Sequence, residues 1–235
     1  MLSHCIILAR GGSKGILKKN LIDFCGKPLI YWTISQCLES DSFVNVWVSS
    51  DDDEILDLSI SYGANVIKRP KKYSNDNSSS EDAWTHASKT IIKNNYSIDS
   101  IFSPQITSPI REIKDIKKAV KLYKTNLYDS IFSSNLANDI NFWSFKKNKF
   151  TSINYDYKKR TIRQKKLNQY IENGSFYLFD IKNLIKYKNR FGKKIGFVEM
   201  EFWKMFEIDE IDDLRFCSMI MREYLLKKKK LLLKN

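Results

Sequence analysis

Short runs rich in Ile and Val alternate with longer stretches of helical period along almost the whole chain. This alternation is the pattern of βαβ units, in which each apolar run becomes a strand and each periodic stretch a covering helix. The runs at 5–9, 45–49, 65–67, 100–104, 130–133 and 175–179 are predicted strands, and 29–38, 54–62, 81–94, 113–123, 181–187 and 212–226 predicted helices. Ser80, followed by Glu81 and Asp82, is placed to cap the third helix, and Asp52 or Asp53 to cap the helix that contains Ile55. The fold class expected is therefore α/β: a Rossmann-like, mainly parallel sheet flanked by helices.

With 235 residues, 43% of them apolar, the chain can bury one substantial core, so a single domain over 1–235 is expected. No stretch approaches the roughly 18 consecutive apolar residues of a membrane-spanning helix, and the apolar run at 5–9 is too short for a signal-peptide core. A soluble, cytoplasmic protein is expected. Cys5, Cys25, Cys37 and Cys217 are widely spaced, and two histidines provide no Cys/His zinc pattern, so the cysteines read as reduced, buried thiols.

Between 136 and 170 the helical and strand periods are lost, and the segment is aromatic and rich in Lys and Asn. It reads as an insertion. Phe142, Trp143, Phe145, Tyr155 and Tyr157 would be costly to expose on a monomer, so a homodimer contact is the expectation, with a disordered loop as the alternative.

The net charge of +13 admits three classes: a nucleic-acid binder, a membrane-surface protein and an enzyme for anionic substrates. The lysines are scattered, and the dense run Lys227 to Lys230 reads as a solvated helix end. Aromatic and basic residues do not interleave as in an RNA-binding strand, which argues against nucleic acid as the partner.

The strongest chemical signal follows the first strand: Ala9-Arg10-Gly11-Gly12-Ser13-Lys14-Gly15-Ile16-Leu17-Lys18-Lys19-Asn20. A Gly-rich turn at the carboxyl end of a strand lets backbone N–H groups approach phosphate, and Arg10, Lys14, Lys18 and Lys19 can neutralise a triphosphate and its pyrophosphate leaving group. The spacing fits neither a P-loop nor a G-x-G-x-x-G dinucleotide turn.

This opening, with Gly26-Lys27-Pro28-Leu29-Ile30, resembles that of the acylneuraminate cytidylyltransferases, the CMP-sialic acid synthetase family. Val48 to Asp52, Gly63-Ala64, Arg69-Pro70, Pro104 to Arg111, Glu172-Asn173-Gly174 and Glu207-Ile208-Asp209 follow in the family's order at similar intervals. The resemblance implies that Arg10, Gly12, Ser13, Lys14 and Lys19 hold the triphosphate, with Asn20, Arg69, Ser79 and Ser80 meeting the nucleoside. It implies that Gln105, Thr107 and Ser108 face the sugar acid, with Arg111 either adding charge there or opening the next helix, and that Arg163, Gln164, Glu172 and Asn173 form a distal part of the site.

A metal on the phosphates needs hard oxygen ligands. Glu207 and Asp209, spaced i, i+2, place both carboxylates on one side of an extended segment and align with a pair that is usually two aspartates, so Mg2+ or Mn2+ is the cofactor implied. Leu17 stands where the family motif often has proline. The reaction implied joins a nine-carbon sugar acid to CMP from CTP, with Arg10, Lys14 and Lys19 on the departing phosphates. CMP activation of legionaminate, pseudaminate or 3-deoxy-manno-octulosonate is the near alternative, and a basic nucleic-acid-binding protein the remote one. His4 and His86 are weak candidates for a general base.

Overall fold

A computed structural model of the chain describes residues 2–13, 15–138, 140–159 and 167–227. Its centre is a sheet of seven strands: β1 (Ser3–Leu8), β4 (Val46–Ser50), β5 (Asn65–Lys68), β6 (Ser100–Pro104), β7 (Ser130–Leu136), β10 (Tyr170–Asp180) and β11 (Ile195–Glu199), in the order β11-β7-β10-β6-β1-β4-β5. Strand β1 pairs in parallel with β4 and β6, β4 with β5, and β7 with β11. Only β10 runs antiparallel to its neighbours, β6 and β7. The α/β class and the mainly parallel sheet are as the alternation dictates.

Both faces of the sheet are covered, and the period of two along each strand divides the core between them. Cys5 and Ile7 of β1, Val46 and Val48 of β4 and Phe102 of β6 face helices α1 (Leu29–Glu39), α2 (Asp53–Ser61), α4 (Ile113–Tyr123) and α6 (Ile211–Ile220). Ile6, Trp47 and Ile101 face the other way, against Trp84, Ala87 and Ile91 of α3 (Ser80–Lys93) and Ile181 and Leu184 of α5 (Ile181–Tyr187). Helix α1 shows how the sequence secures such a contact. Leu29, Ile30 and Ile34 are wholly buried, each contributing about 1.5–3 kcal/mol of apolar transfer.

Helix starts agree with the local chemistry. The Asp52 carboxylate accepts from the N–H groups of Glu54 and Ile55 and caps α2. The cap of α3 is Ser79, one residue before the expected Ser80, because the Ser79 hydroxyl accepts from the Asp82 N–H at 3.1 Å. Capping boxes Glu112/Asp115 and Glu210/Asp213 open α4 and α6. The last predicted helix changes type, since α6 ends at Ile220 and continues as a π-helical turn over Met221–Leu226.

The segment between β7 and β10 carries a hairpin, β8 (Trp143–Lys146) and β9 (Lys149–Ser152), outside the main sheet; a second small ribbon pairs β2 (Asp23–Phe24) with β3 (Lys27–Pro28). The tilted rings of Phe145 and Phe150 lie 4.6 Å apart on the hairpin and are 60% and 65% exposed. Cys5, Cys37 and Cys217 are buried and Cys25 half-buried, all as free thiols. Among the described residues, no helix is long and apolar enough to cross a membrane.

Candidate active site

The carboxyl ends of β1, β4 and β6 open on one side, where an open α/β sheet binds its ligands. The turn after β1 is anchored at each edge. Ala9 N–H donates to Ser49 O at 3.0 Å, Gly11 N–H to the Asp51 carboxylate at 3.1 Å, and the Asn20 amide to Arg10 O at 2.9 Å. Gly15 packs on the backbone of Asp209 so closely that a Cβ there would collide with the Asp209 carbonyl. Glycine is required at this position by contact.

A cavity of about 330 Å³ lies against this turn. Arg10, Ser13, Lys19 and Asn20 line it from the turn, Ser80 from α3, Gln105 and Thr107 from the end of β6, and Glu207 and Asp209 from the segment before α6. Nine of the residues picked out in the sequence thus meet at one place, although up to 199 positions separate them in the chain. The remainder are distributed differently. Gly12 and Arg69 line an adjoining cleft with Asp51 and Asp52. Ser79 is spent on its cap, Ser108 and Asn173 are buried, and exposed Glu172 accepts from the Tyr177 hydroxyl at 2.5 Å. Lys14, Arg163 and Gln164 lie outside the described residues.

Ile208 is the pivot of the acidic segment. Its N–H donates to Thr107 O at 2.8 Å and its carbonyl accepts from Lys19 Nζ at 2.9 Å. With both backbone groups fixed, the flanking carboxylates are held over the cavity. Asp209, 70% exposed at its side chain, pairs with Lys19 Nζ at 2.9 Å. Glu207 receives no hydrogen bond from any described residue, and burial together with the charge of Asp209 pushes it up to about 7, against the opposing pull of Lys19 and Arg111. Two carboxylates on one cavity wall, one of them without a donor, are the hard-oxygen set that a divalent cation takes when phosphate and water complete its shell. A different acidic trio, Glu112, Asp115 and Glu201, is filled by the ammonium of Lys204 at 2.6–2.7 Å and is an ion-pair cluster.

Arg111 belongs to the framework of the site and does not add charge to its surface. It is buried and donates to Gln105 O at 2.6 Å, Ser175 O at 2.9 Å, Gln36 Oε1 at 3.0 Å and Thr33 Oγ1 at 3.1 Å, which fixes the start of the Gln105 loop. Arg69 is also buried, and burial together with Arg10 lowers its pKa against the pull of Asp51. His4 is locked at the far end of β1: its Nδ1 accepts from Trp47 Nε1 at 3.1 Å and its Nε2 lies 3.1 Å from Ser97 O. His86 packs on Tyr73 and lies outside the cavity, its pKa lowered by burial and by Arg69 and Lys72. Lys18 is turned outward to Glu54 at 2.5 Å.

Four lining residues escaped sequence reading: Leu8, Trp84, Ser103 and Arg190. Trp84 had a usable signal, four residues after Ser80 and so on the same face of α3. Arg190 had none, because it sits in a loop after α5 whose position depends on tertiary packing alone.

A basic turn faces an acidic pair across one cavity on the ligand side of a mainly parallel α/β sheet. The profile of the cytidylyltransferase family matches residues 4–235, and the chain belongs to that family. It is 37% identical over 199 residues to N-acylneuraminate cytidylyltransferase A of Danio rerio, an alignment covering 83% of this chain and 45% of that protein. It is also 37% identical over 135 residues to a pseudaminic acid cytidylyltransferase of Campylobacter jejuni, covering 57% of this chain and 58% of that one. The chain thus spans about half the length of these curated relatives. In fold it is similar to a CMP:2-keto-3-deoxy-manno-octonic acid synthetase complexed with CTP, with a TM-score of 0.69 at 16% identity, covering 96% of this chain and 100% of that one.

Proposed function

We propose that this chain transfers CMP from CTP to a nine-carbon, sialic-acid-like sugar acid and releases pyrophosphate. The observation that carries the reading is the Lys19–Ile208–Asp209 linkage, which joins the phosphate turn to the acidic segment across one cavity. The similarity to N-acylneuraminate cytidylyltransferase A supports the acceptor class. A second reading, in which the acceptor is pseudaminate, is favoured by the equal identity to the Campylobacter protein over a shorter stretch.

In the reaction the anomeric hydroxyl oxygen of the acceptor bonds to the α-phosphorus of CTP, the bond from that phosphorus to the β-phosphate bridge breaks, and the hydroxyl proton is released. Arg10 and Lys19, with Lys14, offset charge on the departing pyrophosphate. Ser13 and the Gly12 backbone cradle phosphate, while Asn20 and Ser80 meet the nucleoside, with Arg69 from the adjoining cleft. Gln105 and Thr107 orient the acceptor, and the family resemblance adds Arg163, Gln164 and Glu172. Glu207 and Asp209 would hold Mg2+ or Mn2+, which neutralises phosphate charge when bound. The aromatic hairpin over β8 and β9 supports a homodimer, since its exposed rings lack a cover within the described chain.

The test is mass spectrometry of the product formed from CTP and N-acetylneuraminate or pseudaminate with Mg2+. A CMP–sugar acid adduct is expected. Consumption of CTP without such an adduct would overturn the assignment.

A further inference from the structure

Three described cations line the cavity: Arg10, Lys19 and Arg190. The first two have partners on the phosphate side. Arg10 NH1 pairs with Asp76 at 3.0 Å, and Lys19 Nζ is divided between Ile208 O and Asp209. Arg190 is held in another way. Its guanidinium carbon lies 4.8 Å from the Trp84 ring centre and 4.5 Å from that of Tyr177, so both rings steady the same cation. Its Nε donates to Glu81 at 2.9 Å, which fixes the plane of the fork. Neither terminal nitrogen makes a hydrogen bond or ion pair with a described residue, although the side chain is only 21% exposed.

An arginine that lines a cavity with its plane and ring contacts fixed, and whose two outer nitrogens have no partner among the described residues, is pre-organised to donate to oxygen. Its supports also point to a particular part of the cavity. Trp84 Nε1 donates to Ser103 Oγ at 2.7 Å on β6, two residues before Gln105, and Tyr177 lies on β10, opposite Ser103. Arg190 therefore approaches from the β6/β10 floor, whereas Arg10, Ser13 and Asn20 approach from the turn after β1.

We infer that Arg190 is an acceptor-binding residue whose terminal nitrogens donate to a carboxylate or carbonyl oxygen of the sugar acid and leave the nucleotide untouched. The inference rests on the sugar-acid reading above and assigns the acceptor a contact which that reading leaves out.

The test compares wild type with Arg190→Met and Arg190→Lys. Steady-state pyrophosphate release gives KM for CTP and for N-acetylneuraminate separately, and saturation-transfer NMR gives direct binding of N-acetylneuraminate and pseudaminate. The KM for the acceptor is expected to rise roughly tenfold or more in Arg190→Met, the loss of about one charge-assisted hydrogen bond. The KM for CTP and the melting temperature of Arg190→Lys should stay near wild type, with Arg190→Lys intermediate in acceptor KM. Repeating the series with the carboxamide of N-acetylneuraminate separates the two oxygen sources. If the carboxylate is the partner, the effect of Arg190→Met disappears with the amide; if a carbonyl elsewhere on the sugar is the partner, it persists. An unchanged acceptor KM in both variants, or a rise in the KM for CTP alone, overturns the inference while the activity stands. Wild-type protein that binds neither sugar acid overturns both the inference and the reading beneath it.

Discussion

Lys19 Nζ lies 2.9 Å from the Asp209 carboxylate and 2.9 Å from the carbonyl of the residue before it, so one ammonium ties the phosphate turn to the acidic segment. Lys19 is 8% exposed, and its charge is therefore poorly screened. Lys19→Met should lower kcat by roughly 100-fold, as removal of one fixed donor does where charge develops. Asp209→Asn should instead raise the Mg2+ concentration needed for half activity by about tenfold or more, in the range of lost metal-site support. Pyrophosphate release against Mg2+ concentration separates the two effects, and identical profiles for both variants would contradict the division of roles.

Gly174 has φ +65°, and a Cβ there would collide with the Glu207 carboxylate. Gly174→Ala should therefore lose more than about 1 kcal/mol of stability from backbone strain. It should also lose activity out of proportion to stability, because Glu207 must move. Chemical denaturation and turnover on the same sample check this, and a variant melting lower with unchanged turnover would show that Glu207 has no fixed role.

Lys204 is fully buried among Glu112, Asp115 and Glu201, and Lys204→Met leaves those carboxylates uncompensated, with an expected loss of about 3–5 kcal/mol near neutral pH. Glu201 is held down to about 2 and Glu112 is also lowered, in each case because ion pairing to Lys114 and Lys204 outweighs burial. Asp115 is raised, since burial outweighs Lys204 there. For the two depressed groups the sign is fixed. Their folded values lie below the unfolded 4.5, so their stabilising effect is complete above that pH and is lost as pH falls toward about 2. Wild type should lose stability across that window, and Lys204→Met should show a flatter acid limb. Urea midpoints from pH 7 to pH 2.5 report the slope, and parallel slopes would contradict the assignment.

Phe145 and Phe150 are exposed and in ring contact on the β8/β9 hairpin. Replacing both with Lys should convert a dimer to a monomer in light scattering without lowering the melting temperature of the monomer. A wild-type monomer at micromolar concentration would remove the dimer proposal.

Much of this arrangement was legible in the sequence where local chemistry decides the outcome. Strand β6 and helices α4 and α5 begin and end where periodicity places them, and the turn from Ala9 to Asn20, whose Arg10, Ser13, Lys19 and Asn20 line the cavity, stands out through its glycines and charge. What escaped depends on tertiary contact. Strand β11 is an edge strand of alternating exposure, too short to stand out from its lysine-rich flank. Strand β10 spans eleven residues and not only the five at 175–179 because its first half pairs with β7 beyond a register shift between Glu172 and Tyr177. Its antiparallel direction has no local signature, and Arg190 enters the cavity only because Trp84 and Tyr177 meet there. Arg111 was legible as a charge, but its burial was not, since the carbonyls and side-chain oxygens that satisfy it come from three other parts of the chain.

On the proposed function, one cavity brings CTP and a sugar acid together. The most direct measurement is pyrophosphate release by the purified chain with Mg2+ and each of CTP, UTP and ATP, with and without N-acetylneuraminate, pseudaminate, legionaminate or the eight-carbon acid. Release that requires both CTP and a nine-carbon acid is expected. Release with no acceptor, or with UTP or ATP as readily as with CTP, would contradict the account.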